Sequence, residues 1–132
     1  MKKRSAQSGF TLIELMVVMS IIGILVVLAI PSFVGAIKHA REAVLKEDLH
    51  VMRAAIDSYT MDKQKAPQSL DDLVQEGYLR QVPNDPMTGS NTAWRIVMED
   101  ALQSVDQTEP GIFDVHSGSD KNSLDGTPYA DW

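Results

Sequence analysis

Apolar residues follow two different patterns along the first half of the chain. Residues 15–37 are 23 consecutive residues without a charge, and a helix of this length, at about 1.5 Å per residue, crosses a hydrocarbon core of roughly 30 Å. Beyond this segment the apolar positions recur every three or four residues, with charged residues on the other faces. These positions are Leu45, Leu49, Met52, Ile56 and Tyr59. The two patterns predict one long helix from Phe10 to about Asp62, whose first half faces lipid and whose second half packs on a folded head.

Pro31 lies inside this predicted helix. Its ring removes one backbone N–H donor and clashes with the carbonyl group of Val27, so we expect a kink at this position. No other residue between Phe10 and Asp62 forces a break in the helix.

The residues after the long helix predict a small head. Ser69 and Asp72 have the spacing of a helix capping box, and Gly77 is a natural end for the short helix that they begin. Alternating apolar and polar residues predict one strand at 93–99 and a second at 111–116, joined by a polar loop. In the first strand Glu99 is expected to face solvent, and in the second Phe113 and Val115 are expected to share one face.

The predicted fold class is therefore α+β. A long kinked N-terminal helix, with a membrane half and an amphipathic half, precedes a small C-terminal head with a short helix and two or three antiparallel strands. We expect three segments: a short basic segment at 1–9, a membrane helix at 10–37, and the amphipathic helix with its globular head at 38–132.

Composition and charge exclude several classes of function. The formal net charge is −6, which leaves no basic face for nucleic acid. The chain has no cysteine and therefore no disulfide, thiolate metal site or cysteine nucleophile. Its three histidines form no zinc motif, and neither a nucleophile elbow nor a phosphate-binding glycine loop is present. We expect the chain not to be an enzyme.

The N-terminus combines a short basic leader with the apolar segment. A secretory signal peptide is one interpretation, but the apolar run exceeds the 7–15 residues of such a segment, and Pro31 and Phe33 interrupt the expected cleavage site. An uncleaved signal anchor is a second interpretation. In either case the basic residues Lys2, Lys3 and Arg4 favour a cytoplasmic N-terminus. Glu14 directly precedes the uncharged segment and has apolar residues on both sides. A carboxylate near lipid is costly unless it is paired, and this indicates a functional role.

The sequence Gly9-Phe10-Thr11-Leu12-Ile13-Glu14 resembles the class III signal of type IV pilins and type II secretion pseudopilins. The resemblance implies that residues 1–9 are a leader peptide, which a prepilin peptidase removes by cutting between Gly9 and Phe10 before it methylates the new amino terminus. It also implies that residues 10–37 form the membrane and filament-core helix. It also implies that Glu14 and Pro31 are the family's assembly acid and helix proline. On this basis we expect Glu14 to pair with the amino group of Phe10 on a neighbouring subunit.

The last sixteen residues, SGSDKNSLDGTPYADW, are rich in oxygen ligands. Calcium binds six to eight oxygens from carboxylates, carbonyls and hydroxyls, which such a loop can supply. Turn-forming residues alone also account for this composition. The loop is not an EF-hand, because Leu124 occupies a ligand position of that motif.

This C-terminal sequence, together with the earlier V-P-N-D-P turn, is similar to the major pseudopilins of type II secretion. The resemblance implies Ca²⁺ as a cofactor, with side-chain ligands at Asp120, Asp125 and Thr127 and a backbone carbonyl near Ser117. The sequence after the second proline of the turn, Met87-Thr88-Gly89, departs from the family pattern.

The resemblance implies a structural subunit of a periplasmic pseudopilus, which polymerises from the inner membrane to drive type II protein secretion. The implied partners are further copies of the chain, minor pseudopilins, the prepilin peptidase, and an inner-membrane assembly platform with its ATPase. The implied location is a single-pass inner-membrane protein with a cytoplasmic N-terminus and a periplasmic head. Two alternatives remain: a type IV pilin or specialised pilin-like filament for adhesion, motility or electron export, and a single-pass membrane-anchored binding module.

Overall fold

The computed structural model describes residues 9–102, 105 and 107–132. The predicted leader peptide, except for Gly9, and part of the polar loop at 100–110 lie outside the described residues. The elements are helix α1 (Leu12–Lys63), helix α2 (Leu70–Gln75), strand β1 (Arg95–Met98), strand β2 (Ile112–His116) and a 3-10 helix (Tyr129–Asp131). This order confirms the predicted α+β fold with a long N-terminal helix and a small head.

Helix α1 has 52 residues and continues through Pro31, which corresponds to a length of about 80 Å. Close contacts divide the chain into two units, with the boundary between Ile37 and Lys38. The first unit contains the apolar half of α1. The second contains the amphipathic half and the head. The kink at Pro31 stays a prediction.

The core of the second unit forms around the apolar stripe of α1. All five residues of the predicted stripe are buried, as are α2 residue Leu73 and residues Ile112 and Val115 of β2. The rest of this core is Ala55, Leu79, Trp94 and Tyr129. Full burial of one such aliphatic side chain contributes about 1.5–3 kcal/mol, so α1 is the element on which the rest of the head is assembled.

Helix α2 begins at the predicted capping box. The hydroxyl group of Ser69 accepts a hydrogen bond from Asp72 N at 3.2 Å, and the carboxylate of Asp72 accepts one from Ser69 N at 3.0 Å. Gly77 follows the helix with φ +84°, in the left-handed region that favours glycine. Both ends of the short helix are thus confirmed.

Strands β1 and β2 pair antiparallel and contain a β-bulge. The paired residues are Arg95–His116, Ile96–Val115, Val97–Asp114 and Met98–Ile112. Phe113 is the extra residue of the bulge, so Ile112 and Val115 are buried and Phe113 is exposed. The prediction that Phe113 and Val115 share a face is wrong, because a bulge adds one residue to one strand and interrupts the alternation.

Glu99, the residue after β1, is buried. The prediction that it faces solvent is wrong. Its Oε2 accepts hydrogen bonds from Gln107 Nε2 at 2.6 Å and from Gly111 N at 3.1 Å. These two hydrogen bonds allow the carboxylate to be buried. Both donors lie outside β1, so the alternation along the strand could not predict the burial of Glu99.

Candidate functional site

The N-terminal candidate site is the first turn of α1. Gly9 and Phe10 precede the helix and are exposed. The hydroxyl group of Thr11 accepts a hydrogen bond from Glu14 N at 3.2 Å, so Thr11 caps the helix. Glu14 therefore lies in the first turn, where the helix dipole favours a negative charge. This cap was not predicted from the sequence, although a Thr-x-x-Glu spacing indicates one.

The apolar half of α1 exposes its side chains along its whole length. Within α1 one stretch is long and apolar enough, by length and composition, to cross a membrane. Its polar residue Ser20 donates its hydroxyl proton to Met16 O at 2.8 Å, so that group is satisfied within the helix itself. The segment fits a single-pass membrane anchor.

The C-terminal candidate site is the loop from Ser117 to Trp132, which contains a small hairpin. Residues 121–123 face residues 127–129 through backbone hydrogen bonds of 2.8 and 3.0 Å. Gly126, in the turn, has φ +84°, a conformation that favours glycine. Asp125 lies in the turn at the tip of this hairpin, and Asp120 directly precedes its first arm.

Glu42 of α1 fastens this hairpin to the long helix. Its buried Oε1 accepts hydrogen bonds from Tyr129 Oη at 2.7 Å and from Leu124 N at 2.8 Å. Lys38 Nζ adds a hydrogen bond to Asn122 O at 3.0 Å. A carboxylate with several donors can be buried at little cost.

The charge on Glu42 is stabilised in this environment. Burial raises the pKa of the Glu42 carboxyl, but the hydrogen bonds from Tyr129 and Leu124 and the positive charge of Lys38 outweigh it, so the pKa is lowered overall. Burial and the hydrogen bond to Glu42 raise the pKa of the Tyr129 phenol to about 12. The pair is thus an ionised acid and a neutral phenol at neutral pH.

Arg53 of α1 holds the end of the loop. It contacts Asp114 Oδ1 at 2.6 Å, Val115 O at 3.0 Å and Trp132 O at 2.9 Å. The indole N–H of Trp132 in turn donates to Thr127 Oγ1 at 3.0 Å. One guanidinium group therefore joins the long helix, strand β2 and the C-terminal loop.

The predicted calcium ligands face different neighbours in the structure. Asp120 forms an ion pair with Arg95 of β1. Asp125 and Thr127 line a cavity of about 350 Å³ together with Lys46 and Arg53. The hydroxyl group of Ser117 donates to the buried carboxylate of Asp85 at 2.7 Å.

The donor set of the loop fits calcium in kind, since carboxylates, hydroxyls and carbonyls are the oxygens that this ion binds. Among the residues that the structure describes, no three His, Cys, Asp or Glu side chains form a group that could hold a metal. Asp120 faces the guanidinium of Arg95, and Asp125 shares its cavity with two basic side chains. A cation at these carboxylates therefore competes with protein charges already present.

Three residues that organise the loop were not identified from the sequence: Glu42, Arg53 and Asp85. Glu42 had a signal, because it lies three residues before Leu45 on the buried face of α1. An acid on an apolar face requires donors from another element. Nothing in the spacing of Arg53 or Asp85 indicated partners that lie 61 and 32 residues away.

Residues 4–30 match the family described as Prokaryotic N-terminal methylation motif. Three similar proteins are each named type II secretion system core protein G. The relative from Klebsiella michiganensis is 30% identical, over 98% of this chain and 92% of its own length. The relative from Pseudomonas aeruginosa is 38% identical, over 64% of this chain and 70% of its own length. The relative from Vibrio cholerae is 34% identical, over 65% of this chain and 69% of its own length.

No solved structure matches the chain at a significant level. The similarity to the Klebsiella protein covers almost the whole of both chains, and it includes the N-terminal motif and the C-terminal loop. The chain belongs to the type II secretion system core protein G family, the major pseudopilins.

Proposed function

We propose that the chain is the repeating subunit of a periplasmic pseudopilus that assembles from the inner membrane and drives type II secretion. The observation that carries this proposal is the apolar half of α1, whose side chains are exposed along its length in a chain of the core protein G family. Such a surface requires lipid before assembly and other apolar helices after it. The proposed role is structural and not catalytic.

The proposed orientation follows the distribution of charge around this segment. Lys2, Lys3 and Arg4 precede it, and basic residues are retained on the cytoplasmic side. The head is then periplasmic. A prepilin peptidase removes residues 1–9 and methylates Phe10, and an assembly platform with its ATPase adds subunits below a tip of minor pseudopilins. The family assignment favours secretion over a surface pilus or an anchored binding module.

Glu14 is proposed as the assembly acid. In the membrane its carboxylate and the methylated amino group of Phe10 on a neighbouring copy each lack a full counter-charge. Pairing them in an apolar filament core removes two costs at once. The exposed position of both residues at the start of α1 leaves them accessible to another copy.

The test is a Glu14→Gln variant, with Ser20→Ala as its matched control. Ser20 is also a polar residue of the apolar segment, but its hydroxyl group is satisfied within α1. We expect intact mass to show that Glu14→Gln is cleaved and methylated. Because this variant leaves the amino group of Phe10 without a counter-charge, it should enter filaments at about a tenth of the normal yield or less, with Ser20→Ala unaffected. Normal filament yield for correctly processed Glu14→Gln would refute the assigned role.

Calcium is proposed as the ion of the C-terminal loop. Asp120, Asp125 and the hydroxyl group of Thr127 would hold it, together with a backbone carbonyl near Ser117. When bound, the ion neutralises the two carboxylates and crosslinks a segment with few apolar contacts of its own. To bind it, Asp120 must exchange the guanidinium of Arg95 for the ion.

A further inference from the structure

Asp85 lies in the V-P-N-D-P turn, and its side chain is completely buried. Its Oδ1 accepts a hydrogen bond from Met87 N, just after the turn, at 2.8 Å. Its Oδ2 accepts two more from the start of the C-terminal loop, Ser117 Oγ at 2.7 Å and Gly118 N at 3.0 Å. A buried carboxylate is costly without such donors, so the turn and the loop depend on each other.

The bonds to Asp85 continue along the loop. Ser117 Oγ, which donates to Asp85, accepts from Ser119 N at 3.2 Å, and Ser119 Oγ accepts from Lys121 N at 3.3 Å. The carboxylate thus fixes the hydroxyl that orders the next residues. The backbone between Ser117 and Lys121 contains Asp120 and the carbonyl group of Ser117, two of the proposed calcium ligands.

Gly118 is held from the other side as well. A Cβ atom at this position would lie 1.7 Å from the carbonyl oxygen of Ala93, so the loop backbone runs directly against the residue before Trp94. Between Ala93 and the carboxylate of Asp85 the backbone of Gly118 has little freedom.

We propose that Asp85 is a positioning residue for the cation site: its buried carboxylate fixes the backbone of residues 117–121, which carries the Ser117 carbonyl and Asp120, two of the groups that would hold a divalent cation. The inference rests on the proposed calcium role of the loop. Asp85 does not touch the ion. It acts through its hydrogen bonds to Ser117 and Gly118, in the way that residues hydrogen-bonded to metal ligands orient those ligands.

The test compares Asp85→Asn with Glu99→Gln in the full chain in detergent. Asparagine can still accept from Met87 N, but its amide group places N–H donors against the N–H of Gly118. Glu99 is a matched control, because it is also a buried carboxylate of the head that accepts a backbone N–H, but its partners are Gln107 and Gly111. Calcium affinity is measured by titration calorimetry and the order of residues 118–121 by amide hydrogen exchange.

We expect Asp85→Asn to weaken calcium binding about 10- to 100-fold, the usual effect of removing a group behind a metal ligand, and to speed amide exchange at Gly118 and Ser119. Glu99→Gln should leave both unchanged. Equal losses in the two variants would show general destabilisation and overturn the proposal, as would wild-type affinity in Asp85→Asn. If Asp85→Asn does not fold, Ser117→Ala, which removes the hydroxyl group that donates to Asp85, should show the same pair of effects in smaller degree.

The two proposals fail in different ways. If the unmodified chain binds no calcium, the calcium role is wrong, and fast exchange at Gly118 confined to Asp85→Asn still supports positioning of the loop by Asp85. If the unmodified chain binds calcium and Asp85→Asn binds it equally well, the calcium role stands and the positioning role is wrong.

Discussion

The two halves of α1 place the same kinds of side chain in opposite environments. Leu28, in the first half, is 68% exposed, whereas Leu45, in the second half, is fully buried by the head. The first half gains nothing from the chain's own fold and needs lipid or another copy. The second half obtains its partners from α2, β2 and the C-terminal loop. The division indicates that one half of the helix serves assembly and the other serves stability.

The comparison is tested most strongly by truncating one leucine in each half. We expect Leu45→Ala to lower the free energy of unfolding of the head by about 2–5 kcal/mol, because it leaves a cavity in the core. Leu28→Ala should change it by less than about 0.5 kcal/mol. Denaturant titration of both variants in detergent, followed by tryptophan fluorescence, measures the difference, and equal effects would contradict the division.

Removal of calcium is the next test, because the proposed site lies in the C-terminal loop. At a calcium concentration of 100 times Kd, a site present only in the folded state adds about 2.7 kcal/mol. We expect chelator to lower the Tm of the head and Asp125→Ala to remove this response. A chain whose Tm is the same in calcium and in chelator, and equal to that of Asp125→Ala, would mean that the loop is held by protein contacts alone.

The contact between Glu42 and Tyr129 is expected to have a smaller effect that depends on pH. The pKa of Glu42 is lower in the folded state than its ordinary value of 4.5. Its contribution to stability is therefore complete above pH 4.5 and is lost as the pH falls through the lower folded pKa. Glu42→Gln should flatten the pH dependence of the unfolding free energy below pH 4.5.

Tyr129→Phe removes one of the two hydrogen bonds to Glu42 and leaves the bond from Leu124 N. We expect a loss of about 1.5–3 kcal/mol at pH 7, the usual contribution of a hydrogen bond to a charged group. Chemical denaturation at pH 7 and pH 3 measures both effects. If the unmodified chain and Glu42→Gln lose the same unfolding free energy as the pH falls from 5 to 3, Glu42 is not the titrating group.

Local sequence patterns predicted the elements of the fold. The buried face of a helix produces an apolar periodicity, and a helix cap produces a characteristic spacing of polar residues. The stripe from Leu45 to Tyr59 and the Ser69–Asp72 cap are of this kind. The bulge at Phe113 and the burial of Glu99 could not be predicted in this way. Both depend on pairing with residues distant in sequence, which the local alternation does not contain.

The two candidate sites differ in the same way: one is local in sequence, and the other depends on distant residues. Gly9, Phe10 and Glu14 form a contiguous motif that the sequence alone identifies. The contacts that hold the C-terminal loop come from Glu42, Arg53 and Asp85, which lie far from it along the chain. Such contacts form only when the fold brings the elements together, so composition indicated the oxygens of the loop but not the residues that hold it.

The central claim is that the chain is a pseudopilin of type II secretion, and its most direct test is secretion by cells that lack it. We predict that proteins exported by this route accumulate in the periplasm of a deletion strain and that expression of the intact chain restores their release. Undiminished release from the deletion strain, in which no other copy of the gene is expressed, would contradict the account.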